Sequence, residues 1–293
     1  MRPFLRGCVA AAAASLLLAG CSGGGPAPDE KPAAPVSRKP VPRPTPTWNA
    51  HPASIAALGD SITRGFDACS LLADCPEVSW VTGTRSQVDS IAGRVLTATG
   101  IAANSWNLAK SGARMSDLPD QAVAAAAKKP SLVTVLMGSN DACRDSVDDM
   151  TPVADFRADF TRAMTGLHSA LPKSQVFVAS IPDLKRLWEV GKENPLGKQI
   201  WKLGICPSML RDADSVSESA QSRRDAVRAR VVAYNSVLKE VCAKYQHCRY
   251  DGGAVFDYRF TSDELSSWDW FHPNAQGQAQ LARILYTAAF AKP

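Results

Sequence analysis

From about His51 onward, short apolar runs alternate with stretches in which apolar residues return every three or four positions. Residues 54–58 (Ser-Ile-Ala-Ala-Leu), 106–109 (Trp-Asn-Leu-Ala), 132–137 (Leu-Val-Thr-Val-Leu-Met) and 175–181 (Gln-Val-Phe-Val-Ala-Ser-Ile) have strand length. The third is apolar almost throughout, as a strand buried on both faces must be. A weaker fifth run lies around 249–255. Between these runs Val153, Phe156, Phe160, Met164, Leu167 and Leu171 recur at helical spacing, behind Thr151 as N-cap and Pro152 at the first helical position. Val227, Val231, Tyr234, Leu238, Val241 and Tyr245 repeat the pattern, and a last helix is expected after Asn274. Strand alternating with helix predicts an α/β domain over residues 51–293, a parallel sheet covered by helices on both faces. In such folds the chemistry sits beyond the carboxyl ends of the strands.

The pattern fails at the N-terminus. Arg2 and Arg6 precede an apolar run from Cys8 to Gly20. The run falls short of the roughly 20 residues a membrane-crossing helix needs, so it reads as a signal peptide. It closes on Leu18-Ala19-Gly20-Cys21, which resembles a bacterial lipobox. That resemblance implies that Cys21 is acylated and begins the mature chain, which would anchor the protein to the membrane in the extracytoplasmic cell envelope. Residues 22–50 are rich in Gly, Pro, Ser, Ala and Lys and hold almost no large apolar side chain, so they are expected to form a disordered, partly extended spacer.

Charge adds little. The net charge of +5 falls to +3 once residues 1–21 are removed, and no basic stripe carries interleaved aromatics, so nucleic acid is not an expected partner. The cysteines agree with export. With Cys8 in the signal and Cys21 on lipid, Cys69, Cys75, Cys143, Cys206, Cys242 and Cys248 remain, an even set that reads as three disulfides. Six cysteines allow 15 pairings; the close spacings favour Cys69–Cys75 and Cys242–Cys248, leaving Cys143–Cys206. No C-x-x-C pair occurs and no His lies at ligand spacing near one, so no metal is expected.

Four segments at predicted strand ends and loops carry candidate chemistry. The first strand runs into Gly59-Asp60-Ser61, where a Ser at a helix start lies near free N–H groups, either as a nucleophile or as a helix cap. The second runs into Asn107-Leu108-Ala109-Lys110-Ser111-Gly112, whose Gly allows close backbone approach. The third ends in Gly138-Ser139-Asn140-Asp141, where Asn140 is either an amide donor for a developing negative charge or a turn residue. The fourth is Asp269-Trp270-Phe271-His272, one loop that offers a base and a carboxylate to orient it. His51 lies at the linker edge, and His168 and His247 read as structural.

Together these segments resemble the SGNH (GDSL-type) hydrolase family, whose blocks G-D-S, N-x-x-x-x-G, G-x-N-D and D-x-x-H all occur here in order. The resemblance covers roughly residues 54–290 and implies a flavodoxin-like three-layer α/β/α sandwich with five parallel strands. It implies Ser61 as nucleophile, His272 as base and Asp269 as its partner. The N–H groups of Ser61 and Gly112 and the side chain of Asn140 would form the oxyanion hole. Chemistry of this kind calls for no cofactor. Cys143 just after the third block and the segment from Cys75 to Gly83 resemble phospholipase-B-like and secreted actinobacterial lipase members; Ser139 stands where many relatives carry Gly or Thr.

The function expected is hydrolysis of carboxylic esters by a monomer, with a lipid or other small-molecule acyl ester as substrate. A carbohydrate O-acetyl ester is the alternative, and a catalytically inactive surface-binding lipoprotein is the alternative of another class. The long segment 183–217 holds Leu184, Leu187, Trp188, Trp201, Leu203 and Ile205. With Trp268 and Trp270 these residues either line an acyl site or pack an insertion pinned by Cys206, the latter being the plainer expectation.

Overall fold

A strand that is apolar on both sides can lie only between two covering layers, and three of the apolar runs do so. In the computed structural model, which describes residues 47–290, β1 (Ile55–Gly59), β3 (Leu132–Leu136) and β4 (Gln175–Val178) are buried at every position. The shorter β2 (Ser105–Asn107) and β5 (Cys248–Tyr250) are half-buried edges. All pairings are parallel, in the order β2-β1-β3-β4-β5, with Ile55 opposite both Ser105 and Leu132. The chain is an α/β sandwich of the flavodoxin-like strand order.

Short helices α1 (Ser61–Arg64), α2 (Ile91–Val95) and α3 (Ala98–Asn104) link β1 to β2, and α4 (Leu118–Lys128) links β2 to β3. Next come α5 (Ser139–Ala142) and α6 (Val153–Ala170) before β4, then α7 (Leu184–Gly191), α8 (Pro195–Trp201), α9 (Pro207–Leu210) and α10 (Glu218–Cys242) before β5. The chain closes through α11 (Ala254–Asp257) and α12 (Ala275–Phe290). The crossover helices α4, α6 and α10 pack side by side on one face, and α12 packs with α2 and α11 on the other. Strand order reverses between β1 and β3, so the chain leaves their carboxyl ends in opposite directions and opens a crevice there.

Some local expectations change. Thr151 does not cap α6: the cap position is Pro152, with no side-chain hydrogen bond. Thr151 is instead tied by its backbone, its N–H donating to Asp141 O at 3.0 Å and its carbonyl accepting from Arg230 and Tyr234. Helix α10 stops at Cys242, short of Tyr245, where the Cys242–Cys248 bond turns the chain back into β5. Trp48 and Asn49, placed in the spacer from composition, belong to the folded body. The Arg249 guanidinium lies 4.4 Å over the Trp48 ring, and Asn49 N–H donates to Gln175 Oε1 at 3.1 Å. The expected signal peptide, Cys21 and the rest of the spacer through residue 46 lie outside the described residues. No helix among the described residues is long and apolar enough to cross a membrane.

Candidate active site

The turn after β1 is set by Gly59, where a Cβ would lie 2.4 Å from Leu136 O of the neighbouring strand. Asp60 follows as the N-cap of α1, its Oδ1 accepting the Ile62 N–H at 3.0 Å. The helix is therefore capped by Asp60, which frees the Ser61 hydroxyl. Ser61 Oγ lies 2.8 Å from His272 Nε2, across the crevice from a loop more than 200 residues away in sequence. His272 Nδ1 meets Asp269 Oδ2 at 2.5 Å. The edges of Phe66 and Phe271 close on the imidazole at 5.1 Å each, fixing its plane.

The Asp269–His272 loop is itself pinned. Asp269 Oδ1 accepts the N–H groups of Phe271 and His272, each at 2.9 Å. Ser266 N–H donates to His272 O, and Trp201 Nε1 donates to Asp269 O at 3.0 Å. Burial opposes the Asp269 charge, but the His272 ring and these N–H groups outweigh it and hold the carboxyl below the ordinary value. Behind it lies Asp67, at a left-handed φ of 55°, its carbonyl accepting from Ser266 Oγ at 2.8 Å. Burial first and the Asp269 charge second push the Asp67 carboxyl up to about 6.

The other predicted residues gather at the same crevice. Gly112, at φ +80°, faces open space. Among the described residues its N–H and that of Ser61 find no acceptor within the chain, so both are free for an incoming oxygen. Asn140 Nδ2 donates one hydrogen to Ala113 O at 2.9 Å, which orients the amide. Asn107 holds the neighbouring turn by donating to Thr63 O at 2.9 Å and Thr82 Oγ1 at 3.1 Å. Ser61, Gly112, Asn140 and His272 line one open groove of about 350 Å³, walled by Phe66, Phe271 and Ile205.

The three disulfides are Cys69–Cys75, Cys143–Cys206 and Cys242–Cys248, the pairing that the spacings favoured. Segment 183–217 acts mostly as packing. Trp188 and Trp201 are buried, Trp188 Nε1 donates to Ala213 O, and Trp270 lies against Gly197. Only Ile205, of the apolar residues singled out there, reaches the groove, whereas Leu203 and Trp268 are exposed. His168 and His247 line a separate cleft with Val176 and Cys248, at the amino ends of the strands. Ligand atoms of Asp67, Asp269 and His272 lie within 4.8 Å of one another, but both His272 ring nitrogens are already engaged.

Residues 55–285 match the family described as GDSL-like Lipase/Acylhydrolase. The chain belongs to that family. It is thus a hydrolase of the esterase and lipase kind. No curated protein sequence is matched by the chain. Among solved structures it is similar to an extracellular lipase from Streptomyces rimosus, at 18% identity over 80% of this chain and 99% of that chain, with a TM-score of 0.48. A family 3 carbohydrate esterase from Clostridium thermocellum is 12% identical over 80% of this chain and 93% of that one, with a TM-score of 0.46. TesA is 15% identical over 80% and 97%, with a TM-score of 0.45. Likeness this distant does not bear on substrate.

Asp67 was not legible in any motif. Its partners Ser266 and Asp269 lie at the other end of the chain, and no local pattern signals that contact. Gln278 of α12 was missed for the same reason. Its amide ties Ile62 O at 2.8 Å and Trp80 N–H at 3.0 Å, fixing α1 from below.

Proposed function

We propose that this family member is an exported, lipid-anchored serine esterase that cleaves lipid or other acyl esters through an acyl-enzyme on Ser61. The observation that carries the serine-esterase part of this reading is the continuous chain Ser61 Oγ–His272 Nε2 and His272 Nδ1–Asp269 Oδ2, at 2.8 and 2.5 Å.

His272 takes the proton as Ser61 Oγ attacks the ester carbonyl carbon, and Asp269 stabilises the imidazolium that forms. The carbonyl oxygen becomes an oxyanion, which the N–H groups of Ser61 and Gly112 and the Asn140 amide receive. The tetrahedral centre collapses, the alcohol leaves with the proton from His272, and the acyl group stays on Ser61. A water, deprotonated by His272, then attacks the acyl-enzyme and releases the acid and free Ser61.

Labelling by a fluorophosphonate probe tests the nucleophile: the adduct should map to Ser61 and vanish in Ser61→Ala. A panel of p-nitrophenyl esters of graded acyl length, phospholipids and acetylated sugars tests the substrate class. Activity confined to acetylated sugars would replace the lipid assignment with that of a carbohydrate O-acetyl esterase. The anchor rests on the Leu18-Ala19-Gly20-Cys21 segment. Mass spectrometry of membrane-extracted protein should find an acylated Cys21 at the N-terminus, and an unmodified terminus elsewhere would refute the anchoring.

A further inference from the structure

Building on the esterase reading of the Ser61–His272 site, we infer that Arg144 sets substrate choice and that the preferred ester carries an anionic oxygen group, a phosphate or a carboxylate. Arg144 lies four residues beyond Asn140 and lines the same groove as Ser61, Gly112 and His272. Its backbone is clamped. The Arg144 N–H donates to Ala142 O at 3.0 Å, and its carbonyl accepts the Ser208 N–H at 2.8 Å. Ser208 Oγ bonds Ala142 O at 2.7 Å, and the adjoining Cys143–Cys206 bond ties the two segments covalently. The side chain therefore starts from a rigid base at the wall of the groove.

Its guanidinium lacks the acidic partner that Arg64, beside the same groove, has. Arg64 is paired to Asp74 at 2.9 Å, and that carboxylate also takes the Ser111 hydroxyl. Arg144 makes no ion pair and no side-chain hydrogen bond among the described residues, and its Nε is buried with no acceptor. Asp145, the exposed acid beside it on the same wall, does not pair with it. The guanidinium thus offers its donors to whatever enters the groove, with no acidic partner of its own to compete for them. An anionic oxygen group entering the groove would meet the terminal guanidinium nitrogens, which are not buried as Nε is, and accept charge-assisted hydrogen bonds from them. Phe66, Ile205, Pro207 and Phe271 line the rest of the groove without charge, so Asp145 is the negative charge beside Arg144 on this wall.

The test compares matched esters in the wild type, Arg144→Gln and Arg144→Lys. On the acyl side the pair is p-nitrophenyl butyrate and p-nitrophenyl hydrogen succinate. On the alcohol side it is dihexanoylglycerol and dihexanoyl phosphatidylglycerol. Arg144→Gln should lose about 10- to 100-fold in kcat/KM on at least one anionic member, mostly through KM, the factor a charge-assisted hydrogen bond carries. Its neutral counterpart should change by no more than about twofold, and Arg144→Lys should fall between. Which pair responds places the anion on the acyl or the alcohol side. Raising salt in the wild type should raise KM for the anionic member only, a readout that survives if Arg144→Gln folds poorly. Equal losses on neutral and charged esters, or no preference and no salt effect in the wild type, would overturn the assignment of Arg144 while leaving the esterase reading intact. A wild type that cleaves none of the four overturns both.

Discussion

Asp269 grips His272 at two points, Oδ2 at the ring Nδ1 and Oδ1 at the main-chain N–H of the same residue. One carboxylate thus fixes both where the residue sits and how its ring is turned. No backbone carbonyl shares the Nδ1 contact among the described residues. Asp269→Asn keeps an oxygen for only one of the two contacts. With the oxygen toward the backbone, the amide nitrogen faces Nδ1 and selects the wrong tautomer. We expect turnover to fall about 10⁴-fold with the fold retained. Steady-state kinetics beside a thermal melt check this, and a loss under about tenfold would show that another group orients the ring.

Ser61→Ala should leave a folded and inactive protein. Because Asp60 caps α1, the substitution removes no helix cap, and the melting temperature should be close to that of the wild type. Turnover should fall on the order of 10⁴–10⁶, with His272→Ala losing a similar amount. The double variant should be little worse than either single, since proton acceptor and nucleophile act in one step. Multiplying losses would mean that the two act independently and that the base lies elsewhere.

What could be read in the chain ahead of the structure follows from range. The runs at 132–137 and 175–181 announced central strands because burial on both faces demands continuous apolarity. The site segments were legible because each sits within a few residues of a strand end or in one loop. Contacts between distant segments were not. Asp60 displaced Ser61 as cap through a bond two residues long, yet its burial depends on packing from across the sheet. Trp201 gave no sign that its indole would brace Asp269. Arg144 belongs to none of the motifs legible in the sequence; its place in the groove appears only in the fold.

Acidity should stabilise the fold between about pH 4 and 7. Burial pushes Asp60 up to about 7, the Ile62 N–H only partly offsetting it, and burial pushes Asp141 up to about 6, as it does Asp67. A carboxyl whose folded value exceeds its unfolded value of roughly 4 holds more protons folded than unfolded. The stability it contributes is therefore lost as pH rises through that window. Asp269 does not counter this, since its value lies below the ordinary one and its contribution fades only in stronger acid. Asp60→Asn keeps a good capping side chain and removes the buried charge. It should raise stability at about pH 7.5 and flatten the slope of melting temperature against pH. A variant that is less stable than the wild type at neutral pH and equal to it near pH 4.5 would show that the charge itself stabilises the turn.

The disulfides should separate stability from function. Cys143–Cys206 spans 63 residues, against 6 for Cys242–Cys248, so the chain-entropy cost of losing it is larger, about 4 kcal/mol against about 2 kcal/mol. Position matters more for activity. Cys143 and Cys206 both line the groove, and their bond joins the end of α5, which carries Asn140 and leads into Arg144, to the start of α9. Cys248 opens β5, at the amino end of the sheet, far from Ser61. Replacing Cys143 and Cys206 by Ala should lower the melting temperature and also the turnover per folded molecule, because the Asn140 amide and the Arg144 wall lose their clamp. Replacing Cys242 and Cys248 by Ala should cost stability alone. The comparison is made well below both melting temperatures, with folded fraction taken from circular dichroism. Equal turnover in the two variants would mean that the groove keeps its shape without the bond, held by the Ser208 hydrogen bonds to Ala142 and Arg144 alone.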